Sequence, residues 1–394
     1  LPTRPRIALA HDWLCGYRGG EGVLERLAAL VESIAEPAGL WVMFDDHRPL
    51  SPTIDRWRER CRIQASSLNR VPGAATRLRR WLMPLYPQAV ASVSRQLRAA
   101  HARAPIDLVI STSSSAIKNL TPPGIPHICI CFSPARYVWS RRDDYAAGQS
   151  PASRLRGLGL SLAANSFRAW DRAGSAGVST FIAISRHVQQ EIERCYGRDS
   201  RIVFPPVRTD FFTPNPSMPR EDFWLVVSAL EPYKRVDLAI DAARLAGRRL
   251  VIAGTGSVER EWRADPPAGV EFLGRVTDEH LRSLYRRATL LLFPQVEDFG
   301  IVAVEAIACG CPVVARAQGG ALDIVSPGAS GALVEESSPR ALAAAAIEVE
   351  LARDDERRCA EDAARFSGEA FDRAMRDEIA RATGSAETRA ARKE

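Results

Sequence analysis

The sequence predicts an α/β protein made of two parallel-sheet halves, and three observations carry that reading. Short apolar runs of strand length alternate with amphipathic helical stretches along the whole chain, the pattern of repeated βαβ units. A proline cluster, Thr213-Pro-Asn-Pro-Ser-Met-Pro219, breaks the alternation near the middle, where its rings let neither a helix nor a strand continue. The length of 394 residues suits two domains that each bury a core.

Taken in order, the apolar run at Arg6–Ala10 reads as the first strand, and Gly19-Gly20 precede a helix beginning near Glu21. Trp41–Phe44, Asp107–Ser111, His127–Cys131, Phe181–Ile184 and Ile202–Phe204 are further strand-length runs. Apolar residues at helical spacing cover about Ala74–Ala102, Pro151–Ala173 and Arg186–Tyr196. After the prolines the pattern restarts with Trp224–Ser228, a helix from Val236, strands Leu250–Ala253 and Val270–Leu273, and a helix Asp278–Ala288. The strand Leu290–Phe293 follows, then a loop and a helix opened by Phe299-Gly300 and closed by Gly310-Cys311-Pro312, then the strand Val313–Ala315. The chain closes with helical Glu369–Ala382 and a polar tail, Thr383–Glu394, expected to be disordered. The division is therefore 1–213, a linker at 214–222, 223–368, and 369–394 for the last helix and tail. Two such halves frame a cleft, a favoured place for a ligand.

Hydrophobic content of 46% and charged content of 25% are those of an ordinary globular protein. No apolar run reaches the roughly 18 residues that cross a bilayer, and the start, Leu1–Trp13, is too short for a signal peptide, so a cytoplasmic location is expected. The eight cysteines show no framework spacing. Cys129/Cys131 and Cys309/Cys311 sit beside or within apolar strand-like runs, where small buried hydrophobes are expected rather than metal ligands. The net charge of +6 is unevenly spread: eleven arginines fall between Ile54 and Arg103, against Asp55 and Glu59 alone. Within that stretch Arg77, Arg79, Arg80 and Trp81 mix cations with large apolar groups, a composition that fits an anionic membrane surface and equally a solvated basic helix. No nucleic-acid-binding motif accompanies it, so nucleic acid is not expected as a partner.

The most specific string runs from Pro294 to Gly320. Glu297 and Glu305 lie eight positions apart, the first on a loop at a strand's C-terminal end, where open parallel sheets bind ligands, and the second in the helix behind it. Gly300 permits close backbone approach, and the free N–H groups of the helix start suit an anion. Carboxylates for hydroxyls and N–H groups for phosphate fit a phosphate-bearing sugar compound. A second string, Val227–Asp237, sets Lys234 and Arg235 where a strand gives way to a helix, two cations fit for a diphosphate.

Together these strings resemble the retaining GT-B glycosyltransferases of family 4, whose signature pairs two glutamates in this way. The resemblance is strong at Pro294–Gly320 and Ser228–Asp237 and moderate at Cys131–Trp139. It implies a GT-B fold, two Rossmann-like domains facing a central cleft, with an acceptor-side first domain, a nucleotide-sugar-binding second domain, and a last helix that crosses back to the first. Glu297 is then expected on the donor sugar's hydroxyls, Glu305 on the ribose, and Lys234 on the diphosphate. The family's arginine is replaced by Ala229, which makes Arg235 the candidate for the missing charge. Phe299, Gly300 and Ile301, with Gly19 and Gly20, are implied around the phosphates, and Gly274, Arg275 and Val276 at the base. His11 and Asp12 are candidates for sugar or acceptor, as are Ser133, Arg136 and Tyr137, which match a segment shared with mannosyltransferases acting on lipid-linked saccharides. Phe132 stands where that segment has a histidine.

The resemblance implies transfer with retention and without a metal or other cofactor, and no Asp-x-Asp pair occurs in the chain. The expected donor is GDP-mannose and the expected acceptor a lipid-linked oligosaccharide of bacterial surface polysaccharide assembly, met by a peripheral protein on the cytoplasmic face of the inner membrane. UDP sugars remain open. So do a nucleotide-sugar epimerase, a silent nucleotide-sugar-binding relative betrayed by Phe132 and Ala229, and a basic nucleic-acid binder.

Overall fold

Strands covered on both faces are apolar at every position, and Leu250–Ala253 and Leu290–Phe293 show this: all eight side chains are buried. The computed structural model describes residues 4–61, 63–79, 81–122, 124–139, 164–352 and 356–390, and these carry two parallel sheets. In the first, β1 (Arg6–Leu14), β2 (Glu36–Asp45), β3 (Gln64–Ala65), β4 (Leu108–Ser113), β5 (His127–Cys131), β6 (Thr180–Ala183) and β7 (Ser200–Ile202) lie in the order β3-β2-β1-β4-β5-β6-β7. In the second, β8 (Trp224–Val227), β9 (Leu250–Ala253), β10 (Val270–Gly274), β11 (Leu290–Phe293), β12 (Val313–Arg316) and β13 (Gly331–Val334) lie in the order β10-β9-β8-β11-β12-β13.

In each sheet the strand order reverses once, at β1/β4 and at β8/β11. Connections from the two strands at such a point leave in opposite directions and open a crevice at their C-terminal ends. β11 pairs directly with β8, Leu290 opposite Trp224 and Leu291 opposite Leu225. The loops that follow these two strands are the ones that carry Lys234 and Glu297.

By their contacts the described residues form two units: one up to Ile184 with 188–204 and the chain from Phe371 on, the other 185–187 with 205–370. Residues 205–213, placed with the first half by the sequence reading, belong with the second unit. Val207 donates its N–H to Phe366, Arg208 pairs with Asp278, and Arg286 bonds Thr213. The proline-rich segment accordingly lies inside that unit.

Besides that boundary, four sequence expectations need correction, the first being the strand expected over Ile202–Phe204, which runs instead from Ser200 to Ile202. The helix expected over Ala74–Ala102 begins only at Tyr86 and runs to Arg103, and residues 71–79 and 81–82 lie in bends and turns. Pro84 and Pro87 explain the difference, because proline is accepted in a first helical turn but not within a helix. The first strand runs on to Leu14, which puts His11 and Asp12 within it rather than at its end. The last helix spans Gly368–Ala390, so the segment expected as a disordered tail is helical to Ala390. Residues 140–163, which include most of the helix expected over Pro151–Ala173, lie outside the described residues.

Candidate functional site

After β8 the backbone turns through a short 3-10 segment, Pro232–Lys234, into the helix Val236–Ala246. Arg235 joins the two at φ 53°, a left-handed conformation that is costly for a residue with a Cβ. The joint sends the two neighbouring cations apart. Lys234 Nζ pairs with Glu297 Oε1, whereas Arg235 turns to Asp237, with its Nη2 3.0 Å from Oδ2. The structure thus brings Lys234 to Glu297 and leaves Arg235, expected beside it, on a local carboxylate.

The loop after β11 is held from below. Gly320 donates its N–H to the Glu297 carbonyl at 2.8 Å, and a Cβ on Gly320 would stand 2.1 Å from the Phe299 carbonyl oxygen. The 319–320 backbone therefore packs against 297–299 with no room for a side chain. Phe299 is buried and packs edge-on against Phe366. Gly300 takes φ 117°, a conformation open to glycine, and starts the helix Ile301–Ala308. The helix start thus belongs to the same loop after β11 that carries Glu297 of the Lys234–Glu297 pair.

Glu305 lies one turn into that helix. Its Oε2 accepts a hydrogen bond from the Tyr285 hydroxyl at 3.2 Å. Burial pushes its carboxyl up to about 7, against the lowering effect of the Tyr285 hydrogen bond and the Arg208 charge. Tyr285, fully buried, and Arg208 were not singled out from the sequence: a tyrosine on an apolar helix face gives no sign of where its hydroxyl will point. Gln295 was likewise missed. It is 2% exposed, and its Oε1 has no hydrogen-bond partner among the described residues. Gly274 ends β10 and Arg275 and Val276 follow it, two strands from β8 on the same C-terminal edge, with Gly274 buried and Arg275 exposed.

In the first unit Gly19 and Gly20 are the opening residues of the helix Gly19–Ile34 rather than a loop before it. Gly20 lies under the Phe132 ring, close enough that a Cβ would meet Cε2 at 3.1 Å. His11, buried, shares a 2.7 Å hydrogen bond between Nδ1 and Thr112, and its Nε2 is 4.0 Å from Glu21. Asp12, a candidate for sugar or acceptor, is engaged within its own unit. It is 1% exposed and accepts from the backbone N–H groups of Ser114, Ala116 and Ile117 and from the Ser113 hydroxyl, so it fixes the turn after β4.

Ser133, 2% exposed, is covered, and Tyr137 is tied inward by a 2.7 Å hydrogen bond with Ser115. Arg136 opens the short helix Arg136–Trp139, half-buried. Asp171 anchors that helix: fully buried, it accepts from Trp139 Nε1, Lys118, Asn119 and the Tyr196 hydroxyl. Of the basic patch, Arg77 and Trp81 are exposed, Arg79 lies 4.6 Å over the Trp13 ring, and Arg80 lies outside the described residues. Cys129, Cys131, Cys309 and Cys311 are all buried.

Residues 207–366, which hold the whole second-unit constellation, match the family Glycosyl transferases group 1. The D-inositol 3-phosphate glycosyltransferase of Mycolicibacterium smegmatis is 35% identical over 213 residues, 48% of this chain and 47% of that protein. An uncharacterized glycosyltransferase of Methanocaldococcus jannaschii is 28% identical over 166 residues, 41% of this chain and 46% of that protein. The chain thus spans about half the length of these curated relatives. Among solved structures, the sucrose-phosphate synthase of Thermosynechococcus elongatus superposes with a TM-score of 0.71 at 19% identity, over 97% of this chain and 100% of that one. An Anabaena protein solved in complex with UDP gives 0.62 at 19% identity, over 95% and 99%. At these identities the superpositions speak for the fold. The chain has the GT-B fold of glycosyltransferases, and over residues 207–366 it matches the glycosyl transferases group 1.

Proposed function

We propose that this protein transfers a sugar from a nucleotide-diphosphate sugar to an acceptor hydroxyl, with retention at the anomeric carbon and without a metal. The observation that carries the reading is the Lys234–Glu297 pair at the C-terminal ends of β8 and β11, beside the helix start at Gly300 and with Glu305 one turn behind. In the free protein the ammonium and the carboxylate satisfy each other. An arriving diphosphate competes for Lys234 and is met by the N–H groups of Phe299–Ile301. Glu297 is then released to accept hydrogen bonds from the donor sugar, while Glu305, held from behind by the buried Tyr285 hydroxyl, accepts from the ribose. Charge that develops on the leaving diphosphate is stabilised by groups already in place, which is usually the largest catalytic contribution. The acceptor attacks from the leaving-group side, and a donor phosphate oxygen takes its proton.

For the donor we propose GDP-mannose, and for the acceptor a lipid-linked oligosaccharide at an anionic membrane surface, on the likeness of Cys131–Trp139 to mannosyltransferases of that class. A UDP sugar is the second reading, favoured by the Anabaena neighbour, solved with UDP and with UDP-glucose.

The test is the melting temperature of the purified protein with a panel of nucleotides and nucleotide sugars, in the absence of divalent cations. A ligand at about 100 times its dissociation constant stabilises by about 2.7 kcal/mol. The expected result is a rise with GDP and GDP-mannose that Lys234→Ala abolishes. A selective rise with UDP compounds moves the donor and keeps the chemistry. No rise with any nucleotide sinks the proposal.

A further inference from the structure

We propose that residues 70–79 and 81–85 of the first unit form a preformed docking surface for an anionic lipid bilayer. The inference deepens the lipid-linked acceptor reading and rests on it for its purpose, while the surface itself is argued from four observations.

The first is clustering. Single exposed apolar residues are ordinary on a protein surface, but groups of them mark interaction sites. Of the ten exposed large apolar side chains among the described residues, four fall in this short segment: Val71 at 38%, Leu78 at 40%, Trp81 at 44% and Leu85 at 41%.

The second is that these side chains are not spare core. Ala74 and Met83 of the same segment, with Tyr86 immediately after it, supply the inward contacts and are buried within the unit's core. Tyr86 also packs against Phe44 with ring centroids 5.8 Å apart. The segment turns its small and inward residues to the protein and leaves the four outward.

Third, the loop is built in advance. Its turns close on themselves through Ala74 N–H to Val71 O, Leu78 N–H to Gly73 O, Trp81 N–H to Leu78 O and Leu85 N–H to Leu82 O. The Tyr86 hydroxyl ties the Arg79 carbonyl at 3.0 Å, and the Arg79 guanidinium lies over Trp13. Ordering the loop is thus not left to the moment of binding, which lowers the entropic cost of docking.

The fourth is charge complementarity, which selects the occupant. From Arg60 to Ile106 the chain has nine arginines and not one aspartate or glutamate. Arg70 and Arg77 beside the apolar group, and Arg95 and Arg98 on the helix that comes after it, are exposed and pair with no carboxylate among the described residues. Exposed apolar side chains with a tryptophan, flanked along the chain by arginines that pair with no carboxylate among the described residues, match the headgroup boundary of an anionic membrane. An uncharged apolar partner would leave the cations without a role, and a nucleic acid would leave Leu78 and Leu85 without one.

The test floats the full chain, without nucleotide, on vesicles of phosphatidylcholine alone and of phosphatidylcholine with an equal part of phosphatidylglycerol. The protein should float with the anionic vesicles, and less so as salt rises from about 0.05 to about 0.5 M. Arg70→Glu with Arg77→Glu should cut the partition at least about 25-fold, each arginine near the surface counting for about fivefold. Leu78→Ser with Trp81→Ser should cut it at least about tenfold. All four side chains are exposed, so both variants should keep the wild-type melting temperature; Trp81→Ser alone serves if the double variant melts early.

Four results would each overturn the proposal: no flotation by the wild type, equal flotation on neutral vesicles, variants that float as the wild type does, or a dimer in lipid-free buffer that Trp81→Ser turns into a monomer. Salt-sensitive binding of duplex DNA in place of vesicles would also overturn it. The nucleotide-dependent melting shift, read in the same variants without lipid, should be unchanged, so failure here and failure of the donor reading are told apart.

Discussion

Glu305 sits in a conflict that titration can expose. In an unfolded chain its carboxyl titrates at the ordinary 4.5, and in the fold burial lifts it to about 7. Between those values the folded protein holds a proton that the unfolded chain has lost. Stability tied to this group is therefore complete below about pH 4.5, falls as pH rises to about 7, and stays low beyond it. The shift corresponds to about 3 kcal/mol at most, because the side chain is only partly covered. Glu305→Gln, which cannot ionise and keeps the Tyr285 hydroxyl partnered, should match the wild type near pH 5 and melt above it near pH 8, with most of the gain between. A constant difference across that range would show that Glu305 titrates normally in the fold. The spacing from Glu297 marked this glutamate as a site residue. The sequence carried no sign of Tyr285 or of the burial that sets its titration, because both depend on a helix packed from elsewhere.

The elements themselves were legible where burial dictates composition and illegible where turns do. His127–Cys131, Leu250–Ala253 and Leu290–Phe293 are strands with the bounds their apolar runs predict, because a strand sandwiched between layers admits little else. The segment before Tyr86 was misread, since its leucines and arginines mimic a helical face while Pro84 and Pro87 hold the start of the helix back to Tyr86. The loop after β11 was legible for a different reason: Gly300 and Gly319-Gly320 are glycines that the geometry demands. Gly320→Ala tests that demand at the scale of the element. Its Cβ would lie 2.1 Å from a backbone oxygen that no rotamer can move away, so the 297–299 loop must shift. We expect destabilisation of about 1–3 kcal/mol and loss of the nucleotide-dependent melting shift. Gly384→Ala, in the last helix with open space at the Cβ position, should leave both intact. A Gly320→Ala protein that binds nucleotide normally would show that the packing of 320 against 299 does not position Glu297.

At the scale of the whole molecule, the first unit is not a continuous stretch of chain. Its sheet is finished by Ile202, yet the helix Gly368–Ala390 comes back to it and buries Phe371, Met375 and Ile379. Arg26 holds Asp372 through two hydrogen bonds of 2.9 and 2.7 Å, and Arg201 reaches Glu378, a carboxylate only 5% exposed. The sequence located this helix by its apolar spacing, but spacing cannot say which core a helix joins. A chain stopped after Ser367 loses three buried apolar side chains at about 1.5–3 kcal/mol each, a total of about 5–9 kcal/mol. That is comparable with the whole stability of an ordinary domain, about 5–15 kcal/mol. It also leaves Arg26 and Arg201 without their carboxylates. The second unit keeps Phe366 and its hydrogen bond from Val207, so its own packing is untouched. Calorimetry of the truncated chain should show the transition of the first unit lowered or absent and that of the second retained, with the nucleotide-dependent shift still visible on the second. Two transitions at their wild-type temperatures would mean that the returning helix decorates the first unit rather than completing its core.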